Sequence, residues 1–119
     1  MKKVLGKITE AKLSMDRSTF LSFSILFEYD KGGGQRFCGI VLDKYDKEKK
    51  KRAGTAAGCD LIRQILTLFK VNDFREIEGR IAYAIKEEDF NSKIEGIEVP
   101  TFDGGGRFTI SEWKEEWKL

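Results

Sequence analysis

The chain contains no histidine. That absence excludes a Ser-His-Asp triad, a Cys-His dyad and any histidine-ligated zinc centre. Cysteine is almost as scarce: Cys38 and Cys59 allow one bridge at most, which excludes a disulfide framework. The two lack CxxC spacing, and the expectation is a pair of reduced, partly buried small apolar side chains in a cytosolic protein. Long apolar runs are missing too. The basic start Met1-Lys2-Lys3 is not followed by the roughly 7–15 apolar residues of a signal peptide. Ser22 and Ser24 interrupt the most apolar stretch, residues 20–27, and a spanning helix needs about 20 apolar residues. No membrane association is therefore expected. Charge of one sign is also lacking: 22 Lys+Arg against 20 Asp+Glu give a net +2, so the whole chain is neither a basic nucleic-acid binder nor an acidic mimic.

What is present describes one domain over residues 1–119. Val4, Ile8 and Leu13 mark a first strand of mixed periodicity, ended by the small polar residues 14–18. Residues 19–29 alternate clearly, with Leu21, Phe23, Ile25, Phe27 and Tyr29 on one face. Gly32-Gly33-Gly34 can supply the positive φ angles of a hairpin, and residues 37–42 are expected as the returning third strand. One convincing helix follows, with Ile62, Ile65, Leu66 and Phe69 as its apolar stripe, Thr55 as N-cap and Asn72-Asp73 as exit. Each large side chain of such a stripe contributes about 1.5–3 kcal/mol when buried. Residues 80–86 and 93–99 alternate again. Pro100 ends the pairing, 101–107 reads as a loop, and 111–117 as a short helix with Trp113 and Trp117 on one face. The expected fold class is α+β: a mainly antiparallel β-sheet with one main α-helix packed on it and a short C-terminal helix.

The near-neutral total hides an asymmetry. Between residues 44 and 52 six cations stand against Asp46 and Glu48, a local +4 that leaves −2 for the remainder. These cations run into Arg52-Ala53-Gly54-Thr55 at the start of the helix. Free N–H groups, the helix dipole and a glycine make that a natural anion site, with Arg52, Gly54 and Thr55 as its phosphate grip. The G-K-[ST] ending of a nucleotide-hydrolysing loop is absent. The competing reading is a solvated basic loop followed by close helix–sheet packing at Gly58. Arg36-Phe37 and Arg107-Phe108 each follow a triglycine and offer a cation beside an aromatic ring, a pairing suited to nucleotide ligands. Two ordinary glycine turns would look the same. Glu87-Glu88-Asp89 reads as a solvated turn, not a metal cluster, and no carboxylate pair has acid/base spacing. Binding without catalysis, metal or cofactor is the expectation.

Three stretches carry a resemblance: Gly34-Gln35-Arg36-Phe37-Cys38-Gly39, Val41-Leu42-Asp43, and Lys51-Arg52-Ala53-Gly54-Thr55-Ala56-Ala57-Gly58. Ile62, Ile65-Leu66, Val71 and Ile77-Glu78-Gly79-Arg80 continue it. With these residues the chain, over positions 6–97, resembles a family of small bacteriophage and prophage proteins. Cys38 and Ile40 depart from it, standing where the pattern has glycine or an aromatic. The resemblance implies a phage or prophage origin, host cytoplasm as the place of work, and a counter-defence role. The leading expectation is a homo-oligomeric sponge that sequesters a small phosphorylated nucleotide, a cyclic defence signal included. The alternative is a protein–protein inhibitor of a host defence or CRISPR nuclease complex. A third reading is a nucleic-acid-binding accessory protein acting through residues 47–52.

Overall fold

The computed structural model describes residues 1–87 and 92–119. The expected turn at 89–92, Ser92 apart, and the acidic run beyond Glu87 lie outside the described residues. The structure is α+β, built on a six-stranded antiparallel sheet. Strand β1 (Lys2–Asp16) pairs with two partners: its second part with β2 (Phe20–Tyr29), its first part with β6 (Ile81–Lys86). A bulge between Ile8 and Glu10 explains its mixed periodicity, because both Ile8 and Ala11 are buried although three positions apart.

Along β2 the alternation holds, with Phe23, Ile25, Phe27 and Tyr29 buried. The third strand differs from expectation: β3 is Gly34–Phe37, and residues 38–40 leave the ladder. Gly39 at φ +88° breaks the extended backbone there. Only an isolated bridge between Ser22 and Val41 continues the approach, supported by Ser22 Oγ donating to the Ile40 carbonyl at 2.9 Å. Both cysteines are exposed and free, against the expectation of partial burial. Cys38 lies in this irregular stretch, and Cys59 faces away from the buried stripe of the helix.

The basic segment expected as a loop is a second, two-stranded sheet, β4 (Asp43–Asp46) against β5 (Lys51–Gly54). Helix α1 (Ala56–Phe69) follows at once and buries Leu61, Ile65 and Phe69. It ends at Lys70, which takes the left-handed C-cap conformation, not at Asn72-Asp73; Asp73 instead caps the 3-10 turn Phe74–Ile77. On β6 the small residues Ala82 and Ala84 are buried, and of the larger alternating residues Ile85 is buried while Ile81 is 42 % exposed. Strand β7 (Ile94–Glu98) pairs with β6 and with β8 (Arg107–Thr109), a strand that begins at the end of the expected loop and leads into α2 (Ile110–Trp117).

The strand order is β3-β2-β1-β6-β7-β8. The sheet curls, so that β3 comes back beside β7. Gln35 Nε2 donates to the Ser92 carbonyl at 2.8 Å, and the Phe37 and Phe108 rings lie 6.5 Å apart. Five strands thus form a partly open barrel, with the helix inserted between its third and fourth strands. Among the described residues, no helix is long and apolar enough to cross a membrane.

Candidate nucleic-acid interface

The β4–β5 hairpin is seated on the start of β2 by named contacts. Leu42 N–H donates to the Leu21 carbonyl at 2.8 Å, and Leu21 N–H donates to Asp43 Oδ2 at 3.2 Å. Arg52 Nη2 reaches Asp43 Oδ1 at 2.8 Å and the Asp43 carbonyl at 3.2 Å. Its guanidinium lies over the Phe20 ring, 4.7 Å from the centroid. Hydrogen bonding from Arg52 holds the Asp43 carboxyl below the usual carboxylate range. Arg52 Nε is buried and has no hydrogen-bond partner among the described residues.

Beyond this anchored base the hairpin is exposed and cationic. Lys44, Lys47, Lys49, Lys50 and Lys51 are all exposed, and no salt bridge engages them among the described residues. Tyr45, 51 % exposed, is the cross-strand partner of Arg52 and shares its face. Phe20, Arg52 and Tyr45 therefore form a row of ring, cation and ring along one side of a lysine-rich ribbon. A shallow depression lies here, with Lys44, Lys47 and Tyr45 in its lining beside the acids Asp46 and Glu48, closed by Ala53, Gly54 and Thr55.

The expected phosphate grip is arranged differently. Thr55 is the N-cap, as read from the sequence, but its hydroxyl proton is already engaged: the hydroxyl accepts from Gly58 N–H at 2.9 Å and donates to the Leu42 carbonyl at 3.1 Å. The helix N-terminus is also covered by backbone. A Cβ on Gly58 would meet the Leu42 carbonyl oxygen at 2.3 Å, so the close-packing reading of Gly58 is the one observed. Gly54 sits in β5 with open space around it, and Arg52 is held by Asp43.

Strand alternation separates the other candidates. Phe37 and Phe108 are buried at 1 % and 4 % exposure and belong to the core, which corrects their assignment to a ligand pocket. Their arginine neighbours point outward. Arg36 Nη1 binds Glu10 Oε1 at 2.7 Å and Ser24 Oγ at 3.0 Å, and Arg107 Nη2 lies 3.4 Å from Glu112 Oε1. Arg36 and Arg107 are thus brought neither to the hairpin nor to their own phenylalanines. Trp113 Nε1 donates to the Ala57 carbonyl and Trp117 Nε1 to Asp60 Oδ2, each at 2.9 Å. These indoles tie α2 to α1, with Trp113 in the core and Trp117 packed against it.

Sequence reasoning missed the hairpin as a structural unit and Tyr45 as its exposed ring. The alternation of Lys44, Tyr45 and Asp46 was the available signal. Comparison with protein-family models, curated proteins and solved structures found no match.

Proposed function

We propose that the chain is a non-catalytic binding protein for single-stranded nucleic acid. The observation that carries this reading is the β4–β5 ribbon, whose five exposed lysines stand beside the Phe20–Arg52–Tyr45 row. Cations that track a phosphate backbone, with rings on which bases stack, are what sequence-tolerant strand binding requires. The strand order adds support. A three-strand meander, a helix and a returning hairpin in a partly open five-stranded barrel is the arrangement of OB-type folds, which take oligonucleotides and oligosaccharides around their second and third strands. Fold likeness alone assigns no activity; the position of the charge supports the reading, because the ribbon is hung from the start of β2.

Nucleotide sequestration by Arg52, Gly54 and Thr55 has less support, since the Thr55 hydroxyl is occupied and Arg52 is held by Asp43. On the phage resemblance, the proposed place of work is the host cytoplasm.

The test is fluorescence anisotropy of a labelled dT20 strand across a salt series. Five phosphate contacts predict a slope of log affinity against log salt of about −3.5. The triple variant Lys47→Glu, Lys49→Glu, Lys50→Glu should weaken binding by about 100-fold or more at low salt and make the slope shallower by about 2. A salt-independent affinity, or a triple variant that binds like the parent, would sink the proposal.

A further inference from the structure

We infer that the second half of β1 is an interface between two copies of this chain. The copies pair antiparallel along residues 12–16, about a twofold axis through Ser14, and join two barrels into one continuous sheet. The first half of β1 lies between β2 and β6, and its ladder with β6 ends at the Lys7–Ile81 pair. Ile8 and Ala11 still have partners on that side. Ile8 N–H donates to the Arg80 carbonyl at 2.8 Å, the Ile8 carbonyl accepts from Gly79 N–H at 2.7 Å, and Ala11 N–H donates to Glu78 Oε2 at 3.0 Å. From Lys12 to Asp16 the strand keeps β2 on one edge and, among the described residues, has no strand on the other.

The backbone groups on that open edge are those of Leu13 and Met15. Met15 pairs with Leu21, and Leu21 turns both its backbone groups away from β1. Its carbonyl accepts from Leu42 N–H at 2.8 Å, and its N–H donates to Asp43 Oδ2 at 3.2 Å. The Met15–Leu21 pair is therefore of the non-hydrogen-bonded kind, and Met15 directs its own N–H and C=O outward. Leu13, two residues back, does the same; Ala11, two further back, shows the alternation in its bond to Glu78. The N–H and C=O groups of Leu13 and Met15 thus line an edge that neither proline nor a bulge interrupts between Lys12 and Asp16. Such an edge is a template for another strand.

The edge is complementary to itself. Leu13 and Met15 must face outward-directed residues of the second copy, so the twofold axis can pass through Leu13, Ser14 or Met15 but not between them. An axis through Ser14 sets Lys12 opposite Asp16 of the second copy at both ends, Leu13 opposite Met15, and serine opposite serine at the centre. An axis through Leu13 sets Glu10 against Asp16, two like charges, and one through Met15 leaves Lys12 without an acid opposite. Both charges of the favoured register are exposed. Lys12 Nζ has only a long contact, 3.5 Å, to Glu10, which Arg36 holds at 2.7 Å; no salt bridge engages Asp16 among the described residues. On the opposite face Leu13 and Met15 continue the side of β1 that carries buried Ala11, yet they are 45 % and 54 % exposed. Leu13, Ile62, Leu66 and Phe74 are in the lining of an adjoining groove of about 680 Å³, whose charged residues mix both signs. Pairing would cover Leu13 of each copy with Met15 of the other. The β4–β5 ribbon hangs from the far edge of β2 and stays free.

So short an interface falls in the weak, transient class. The experiment is sedimentation equilibrium of the full chain from low micromolar to millimolar concentration, read beside hydrogen exchange. The chain should pass from monomer to dimer, and the Leu13 and Met15 amides should gain protection as it does. Lys12→Glu and Asp16→Lys each set like charges opposite one another and should each weaken the dimer about tenfold or more. Mixed together, the two variants have opposite charges at both ends again and should pair about as tightly as the parent. The hairpin triple variant should dimerise like the parent, so failure here leaves strand binding standing, and the reverse holds. A chain that stays monomeric at millimolar concentration would overturn the inference, even if the edge then takes an extended peptide from another protein. So would a dimer that neither single variant weakens, a mixture no tighter than its components, or a dimer without protection at Leu13 and Met15.

Discussion

The two cationic ends of β2 place the same charge in opposite surroundings. At the Phe20 end, five lysines stand in water on a ribbon one hairpin wide, and Asp43 and Arg52 hold only its base. At the Tyr29 end, Lys86 is 2 % exposed and its ammonium rests against a ring. Exposed charges interact through high dielectric and are screened within about 8–10 Å at ordinary salt. They suit a long polyanion that many weak contacts can follow. An enclosed charge is screened far less and is held by the groups packed around it. The contrast predicts a steep salt dependence for anion binding at the hairpin.

The hairpin end breaks most readily where its base meets α1. Gly58→Ala places a methyl 2.3 Å from the Leu42 carbonyl oxygen and 2.8 Å from Leu42 Cα, both backbone atoms that cannot swing aside. Overpacking of this kind costs roughly 1–3 kcal/mol, set against a helix-propensity gain of up to about 1 kcal/mol. The variant should melt several degrees lower and lose strand affinity as residues 42–55 shift. Gly54→Ala is the control: nothing lies within 4 Å of its Cβ, so its melting temperature should match the parent's. Equal melting of the two variants would show that the seat on Leu42 does not hold the ribbon.

A smaller effect sharpens the division between charge and stacking within the ribbon. Tyr45→Ala should reduce dT20 affinity about tenfold, at the low end of the 1–3 kcal/mol attributed to one stacked base, and leave the salt slope unchanged. Tyr45→Phe should restore binding. Stability should stay within about 0.5 kcal/mol because the side chain is a surface one, 51 % exposed. If the slope flattens in Tyr45→Ala, the ring acts by positioning the lysines and not as a platform.

Periodicity carried the sequence reading where side chains were large and the backbone regular. The buried face of β2, the stripe of α1 and the Thr55 cap could all be read directly. It failed where a device of the backbone intervened: the bulge after Ile8, and Gly39 at positive φ ending β3 early. The lysine-rich ribbon escaped because its pairing has no apolar face to announce it; it is docked by Asp43 and Arg52 instead. The separation of each arginine from its neighbouring phenylalanine was itself legible. In a strand, adjacent residues point to opposite faces, so Arg36-Phe37 and Arg107-Phe108 could not each turn an arginine and a ring to one ligand. The Lys2–Lys86 pairing, by contrast, joins residues 84 positions apart and becomes visible only with the register.

The smallest expected effect tests how the ribbon is held, and it is driven by pH. The Asp43 carboxyl is held below its ordinary range by the Arg52 hydrogen bond first, and the Leu21 amide and the Arg52 charge act in the same direction. A carboxyl depressed in the folded state contributes stability that is fully present above its unfolded value, about 3.9. That contribution disappears as pH falls through the lower folded value. Seating of the ribbon should therefore be constant from neutral pH down to about 5 and weaken below 4. Hydrogen-exchange protection of the Leu21 amide, whose acceptor is Asp43 Oδ2, reports it directly. Glu10 and Asp60 are depressed as well, by Arg36 and by the Trp117 indole respectively, and they add acid sensitivity elsewhere. Asp43→Asn isolates the local share: Leu21 should lose protection at neutral pH and show no further local loss on acidification. A parent whose Leu21 protection falls only together with that of the core amides Ile25 and Phe27 would mean that the ribbon unfolds with the barrel, not ahead of it.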